Sequence, residues 1–174
     1  MLDIVQETMI SDNYPDNELT QQRIEMVQSS WANAKDLGYE AVGDLLFQNI
    51  FQAAPSTLQM FSFGALKNYR STEKYKDHTV KVASTLSTAV ENLQNLGELA
   101  PILKNLGADH VPRGIKKEHY PVVMGAVIKT LKDGLGASFT PDVEKSWLVV
   151  LNIVQETMIG DNYELPEDEA DRFL

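Results

Sequence analysis

The chain has 174 residues and no cysteine, with 15 Lys+Arg against 25 Asp+Glu, a net charge of −10. That length suits one domain with a sizeable core, and 43% hydrophobic with 23% charged residues is the composition of a folded, not a disordered, chain. The negative field disfavours a nucleic-acid or membrane-surface role, and the lack of cysteine excludes disulfides, thiolate metal sites, iron–sulfur ligation and cysteine nucleophiles.

Residues 1–17 read as an N-terminal extension. The first fourteen carry Asp3, Glu7 and Asp12 with no Lys or Arg, so neither the basic start nor the apolar run of a secretory signal is present. No run of about 18 apolar residues occurs anywhere, which excludes a membrane-spanning helix. The expectation is a cytoplasmic protein. Residues 2–14 (LDIVQETMISDNY) nearly repeat residues 151–163 (LNIVQETMIGDNY), differing only at Asp3/Asn152 and Ser11/Gly160. Three readings are open: a duplication accident, an extra docked helix, or a mimic of the final helix that joins identical chains into a homo-oligomer through their terminal segments. Alone the segment is too short to be a stable helix in water.

From residue 18 to 163 the periodicity is helical. Thr20 can cap a helix carrying Ile24, Val27 and Trp31. Gly38 breaks it, and Val42, Leu45, Leu46, Asn49 and Ile50 line a second helix, with Phe47 and Phe51 an i,i+4 pair beside them. Pro55 opens a short turn to Met60 and Phe61, and residues 62–70 are loop-like. Ser71 or Thr72 opens the longest helix, expected to end near Leu96-Gly97, with Tyr75, Val82, Leu86 and Leu93 as its stripe. A shorter helix is expected over 98–106, weakened at Gly107, with His110 just beyond. Another runs over 116–135, with Pro121 in its first turn and Gly134 and Gly136 as stops. Thr140-Pro141 starts the last helix, and Gly160 ends it. Residues 164–174 (ELPEDEADRFL) form an acidic tail, read as a solvated end. No strand pattern is found, so the class is all-α with seven or eight helices.

Chemistry-bearing residues are few. Of the three histidines, His78, His110 and His119, no pair has the spacing of a one-helix zinc motif. Neither a Gly-rich phosphate loop nor a nucleophile elbow occurs, and no two carboxylates pair as acid and base. His78 sits beside the apolar stripe of the long helix, and His110 follows 32 residues later at the end of the next. Two imidazoles facing each other across a cavity suit iron. A histidine beside an apolar face is also an ordinary core or surface residue.

An ordered set of motifs gives this a sharper meaning. It comprises Trp31, Pro55 with Phe61 six residues on, Tyr75-Lys76-Asp77-His78, Leu106-Gly107-Ala108-Asp109-His110, His119-Tyr120-Pro121-Val122-Val123, Thr140-Pro141 and Trp147. Over residues 18–160 the chain resembles the globin family. The segments Leu46-Phe47-Gln48-Asn49-Ile50-Phe51 and Lys81-Val82 are most similar to those of neuroglobin-like and invertebrate intracellular globins.

The resemblance implies a globin fold around a heme pocket, holding heme b. It implies His110 as the proximal iron ligand and His78 as the distal histidine, facing iron or bound O2. Phe61 would pack on the heme face, Phe47 and Val82 would restrict the distal space, and Lys81 would reach a propionate. Leu106, Ile115 and Tyr120 would line the proximal side. Lys81 is open to reading as a solvated lysine, Tyr120 as simple helix packing, and His119 as structural or exposed. Phe63 departs from the neuroglobin-like pattern, which often has tyrosine there, so a looser loop is expected. The implied function is reversible binding of O2, CO and NO, with a bis-histidine resting state. The alternatives are a heme redox enzyme (NO dioxygenase, nitrite reductase or peroxidase-like) and a heme-free interaction domain. In 174 residues neither a reductase nor an output domain is expected beside such a fold, which favours binding.

Overall fold

The computed structural model describes residues 17–163; the near-copy at 2–14 and the acidic tail at 164–174 lie outside the described residues. Among those described, six α-helices and one 3-10 helix carry the fold. They are α1 (Gln21–Lys35), α2 (Tyr39–Ala53), the 3-10 helix Pro55–Met60, α3 (Glu73–Glu91), α4 (Leu96–His110), α5 (His119–Leu135) and α6 (Pro141–Ile159). Shorter 3-10 turns fill the corners, and the described residues contain no strand. The all-α expectation of seven or eight helices is met.

Three of the helices begin where a threonine supplies the missing acceptor. Thr20, Thr72 and Thr140 each accept a hydrogen bond from the backbone N–H three residues on, at 3.3 Å. Gly160 ends α6 at φ +34°, as its place in the sequence predicts.

The helices form two interlocking groups: α2 crosses α3 and α5, while α6 packs on α1 and α4. Trp31 of α1 and Trp147 of α6 meet edge to face at 6.0 Å, both almost wholly buried. Each indole N–H finds a serine: Trp31 donates to Ser87 of α3 at 2.9 Å, and Trp147 to Ser30 of α1 at 2.8 Å. Asn49 donates to Thr130 at 3.0 Å and fixes α2 on α5.

Four expectations are corrected. The long helix stops at Glu91, not near Leu96-Gly97. Asn92 turns its amide back onto the Thr88 carbonyl at 2.8 Å, and Leu93 drops into the core. Leu96 and Gly97 instead open α4, which runs through Gly107 to His110. Gly107 does not weaken a helix end; a Cβ there would lie 1.9 Å from the Met158 carbonyl oxygen, so glycine lets α4 and α6 touch backbone to backbone. The helix expected from residue 116 begins at His119, whose Nδ1 accepts from the Lys116 N–H at 3.0 Å.

The fourth correction concerns α3. Its fully buried line is Tyr75, Thr79, Ala83, Ser87 and Val90, whereas Val82 and Leu86 are only half-buried. Small residues face α2 because the helices cross closely: a Cβ on Gly43 would sit 2.4 Å from the Thr79 carbonyl oxygen. The larger Val82 and Leu86 fall on the adjacent face, in line with His78.

Candidate functional site

His78 lies one turn after Tyr75 on α3. Its ring stands edge-on to Phe47 and to Phe61, each at 5.3 Å between centroids. Beside it opens a cleft of about 420 Å³ lined by Met60, Phe61, Ser62, Phe63, Lys74, Asp77, His78 and Lys81. That size lies within the range of small-molecule sites. Burial lowers the His78 pKa below 6.5, and the positive charges of Lys81, Arg113 and His110 lower it further. His78 is therefore mostly neutral at pH 7.

The same charges report proximity. His110, from the end of α4, stands near enough to His78 for its charge to be felt. The Nδ1 of His110 lies 2.5 Å from the Leu106 carbonyl oxygen. A carbonyl only accepts, so Nδ1 carries the proton in this contact, and in the neutral form of the ring Nε2 keeps its lone pair. That is the arrangement that orients a histidine ligand and makes it more basic.

The remaining predicted residues sort into two walls. Around His78 stand Phe47, 3% exposed, and Phe61, 5.8 Å from Phe47. Val82 is half-buried one turn further along α3, and Lys81 is exposed at the mouth. Around His110 stand Leu106, one turn earlier on α4, and Ile115, whose N–H donates to the His110 carbonyl at 3.3 Å. Tyr120 is buried with its ring 6.5 Å from His110, and its hydroxyl shares a 3.0 Å hydrogen bond with that of Tyr163. His119 takes no part in either wall; its ring accepts from the Lys116 N–H in the turn before its helix.

Phe63 corrects the expectation of a loose loop. It is 4% exposed, stacks on Phe61 at 5.0 Å and on Tyr69 at 6.0 Å, and meets Tyr75 edge-on at 5.4 Å. The missing hydroxyl is replaced by ring packing that closes the corner.

Two features had no role at the level of sequence. Arg113 follows His110 by three residues, and the fold brings its charge to bear on His78. Asp44 of α2 accepts four side-chain hydrogen bonds: Tyr75 at 2.7 Å, Gln48 at 2.8 Å, and Arg70 through Nη2 at 2.7 Å and Nε at 3.1 Å. Burial opposes its charge, but the bonds from Arg70, Tyr75 and Gln48 outweigh that and hold its pKa below 3.8. This cluster pins the start of α3, and with it His78, to α2. Spacing along the chain gave no sign of it, because its members are 31 residues apart or brought in by the loop.

Among the described residues no three His, Asp or Glu side chains gather as a metal site. Of the predicted site residues the cleft itself gathers Phe61, His78 and Lys81, while His110, Leu106, Ile115 and Tyr120 stand outside its lining. Lys81 and Arg113 suit acidic substituents of a bound group.

The comparisons point to one family. Residues 44–158 match a family model described as Globin. Neuroglobin-1 of Oncorhynchus mykiss is 29% identical over 147 residues, covering 81% of this chain and 91% of the relative. Neuroglobin of Tetraodon nigroviridis is 28% identical over 153 residues, covering 84% and 94%. A flavohemoprotein of Bacillus subtilis (strain 168) is 29% identical over 155 residues, 87% of this chain, and the chain spans only 37% of its length.

Proposed function

The chain belongs to the globin family, and from that premise we propose that it holds heme b between His110 and His78 and reversibly binds O2, CO and NO there. Heme binding itself follows from the family and from the similarity to neuroglobins. The observation that carries the finer reading is the hydrogen bond from His110 Nδ1 to the Leu106 carbonyl, which turns Nε2 away from its own helix. Ferrous heme iron, when bound, supplies the reversible coordination of a diatomic gas.

The chain's own residues do the rest. Nε2 of His110 would hold the iron, and the Leu106 bond keeps that ring from turning. Phe47, Phe61 and Val82 exclude water from the opposite face, which slows oxidation of the metal. Lys81 and Arg113 neutralise the propionate carboxylates at the mouth. His78, kept neutral by burial, serves in one of two ways: its N–H donates to the bound gas, or its free nitrogen takes the sixth iron position. We assign the second to the resting state. With heme bound this way, His78 would compete with an incoming gas, whose apparent affinity would be scaled by the fraction of protein in which His78 is off the iron.

A redox role is the second reading, favoured by the similarity to the flavohemoprotein over 87% of this chain. It predicts rapid, catalytic consumption of NO when O2 and a reductant are supplied.

The visible spectrum of the heme-loaded chain tests both the heme and the coordination. A Soret band, with a sharp, split pair of visible bands in the reduced, ligand-free protein, is the expected result. One broad visible band would remove His78 from the iron, and no Soret band would remove the heme.

A further inference from the structure

Residues 151–163 occupy a defined seat. Leu151 and Met158 are buried, with Val154 and Ile159 packed against the same core. The Met158 carbonyl fills the space over Gly107. Asn162 donates through Nδ2 to the carbonyls of Lys104 at 3.0 Å and Met158 at 2.9 Å, and Tyr163 bonds Tyr120. The near-copy keeps all six of these side chains, as Leu2, Val5, Met9, Ile10, Asn13 and Tyr14. The two positions that differ, Asn152 and Gly160, are both exposed, and the Asn152 side chain bonds only Glu156 of its own helix.

We propose that residues 2–14 are a second ligand for this seat and take it, within the same molecule, whenever residues 151–163 leave. The inward-facing side chains are identical, so the copy can remake their contacts, though not the continuity of α6 across Val150 and Leu151, which favours the resident segment. The balance is tipped further by Ser11, which replaces a glycine at φ +34°, where a side chain is strained. Residues 151–163 therefore hold the seat in the native balance, and the copy is the weaker competitor. The same molecule is the source because only residues 15–18 separate Tyr14 from Leu19, which packs on the core. A tether that spans to the seat gives the copy a high effective concentration, whereas exchange between molecules gains no contact and loses association entropy. The inference does not depend on heme.

A double-mutant cycle in the full chain tests it. Met158→Ala weakens the resident segment, and Met9→Asp disables the copy. M9D alone leaves the melting temperature unchanged. The loss caused by M158A becomes about twofold larger once M9D is added, because the substitute is gone. Ser11→Gly shrinks the M158A loss, by relieving the strain. Should M158A prevent folding, Tyr163→Phe, which removes only one hydrogen bond, replaces it in the same cycle. Strict additivity of the two changes overturns the proposal. So does a dimer of the M158A chain in sedimentation that M9D abolishes, since the copy would then be acting between molecules.

Discussion

The hydroxyl of Tyr75 donates to the Asp44 carboxylate at 2.7 Å, one helical turn ahead of His78. The bond joins α3 to α2 at the point where the distal wall begins, and Arg70 of the preceding loop closes the same carboxylate from the other side. The position of His78 thus depends on a polar cluster that never touches it.

Asp44→Asn is expected to destabilise the fold by about 1.5–3 kcal/mol, the scale of hydrogen bonds to a charged group. Because the folded pKa is held below 3.8, the charged form stabilises the native state above that value. The stability is lost as pH falls through the folded pKa. The denaturant midpoints of the two proteins therefore differ fully at pH 7 and draw together below about pH 4. A difference independent of pH would mean that charge has no part in it.

His78 titrates below 6.5, with burial the first cause and the Lys81 charge the second. Replacing Lys81 with alanine raises the His78 pKa, measured by ring-proton NMR on heme-free protein. Between the lowered folded pKa and 6.5 the unfolded chain binds more protons, so stability falls as pH drops through this window. His78→Gln removes that slope. An unchanged slope would assign it to another group.

On the proposed coordination, His78→Leu turns the split visible bands of the reduced protein into one broad band and speeds CO binding at least ~10-fold, since no internal ligand must leave. Equal CO rates in the two proteins would mean that His78 never occupies the iron.

Gly107→Ala drives a methyl group into the Met158 carbonyl, and backbone cannot swing aside as a flexible side chain does. The expected cost is about 1–3 kcal/mol, that of overpacking, read as a drop in melting temperature. Alanine at Gly97, where nothing lies within 4 Å, is the control and leaves the temperature unchanged or raised.

Phe63→Tyr adds the hydroxyl common in the neuroglobin-like pattern to a ring that is 4% exposed and stacked on both sides. Unless the new group finds a partner, burying it costs about 1–3 kcal/mol. A stabilised variant would show that the corner opens readily and that the hydroxyl reaches solvent or the cleft.

The parts legible in the sequence are those governed by local rules. Thr20, Thr72 and Thr140 announce helix starts because a cap acts within three residues, and Gly160 announces a stop because its conformation is its own. Gly107 carries the same letter, but its reason lies 51 residues away at Met158, so the sequence suggests a weakened helix end where a crossing exists. The α3 stripe was misjudged for a related cause. Size suggested Val82 and Leu86 as the core line, while the close approach at Gly43 demands Thr79, Ala83 and Ser87. Of the candidate site, His78, His110 and the phenylalanines are legible only through the family resemblance, and which side chains stand together is set by the fold. Asp44 and Arg113 escaped notice because their partners are distant in the chain.

The paired indoles have a practical consequence. The chain has two tryptophans, and both lie at the junction of α1, α3 and α6. Its tryptophan fluorescence therefore reports from a single point, silent about the corner at Phe63 and about the turn at His110. An emission change that coincides with loss of helix signal marks cooperative collapse of the whole domain. Emission that outlasts the helix signal identifies this junction as the last part to come apart.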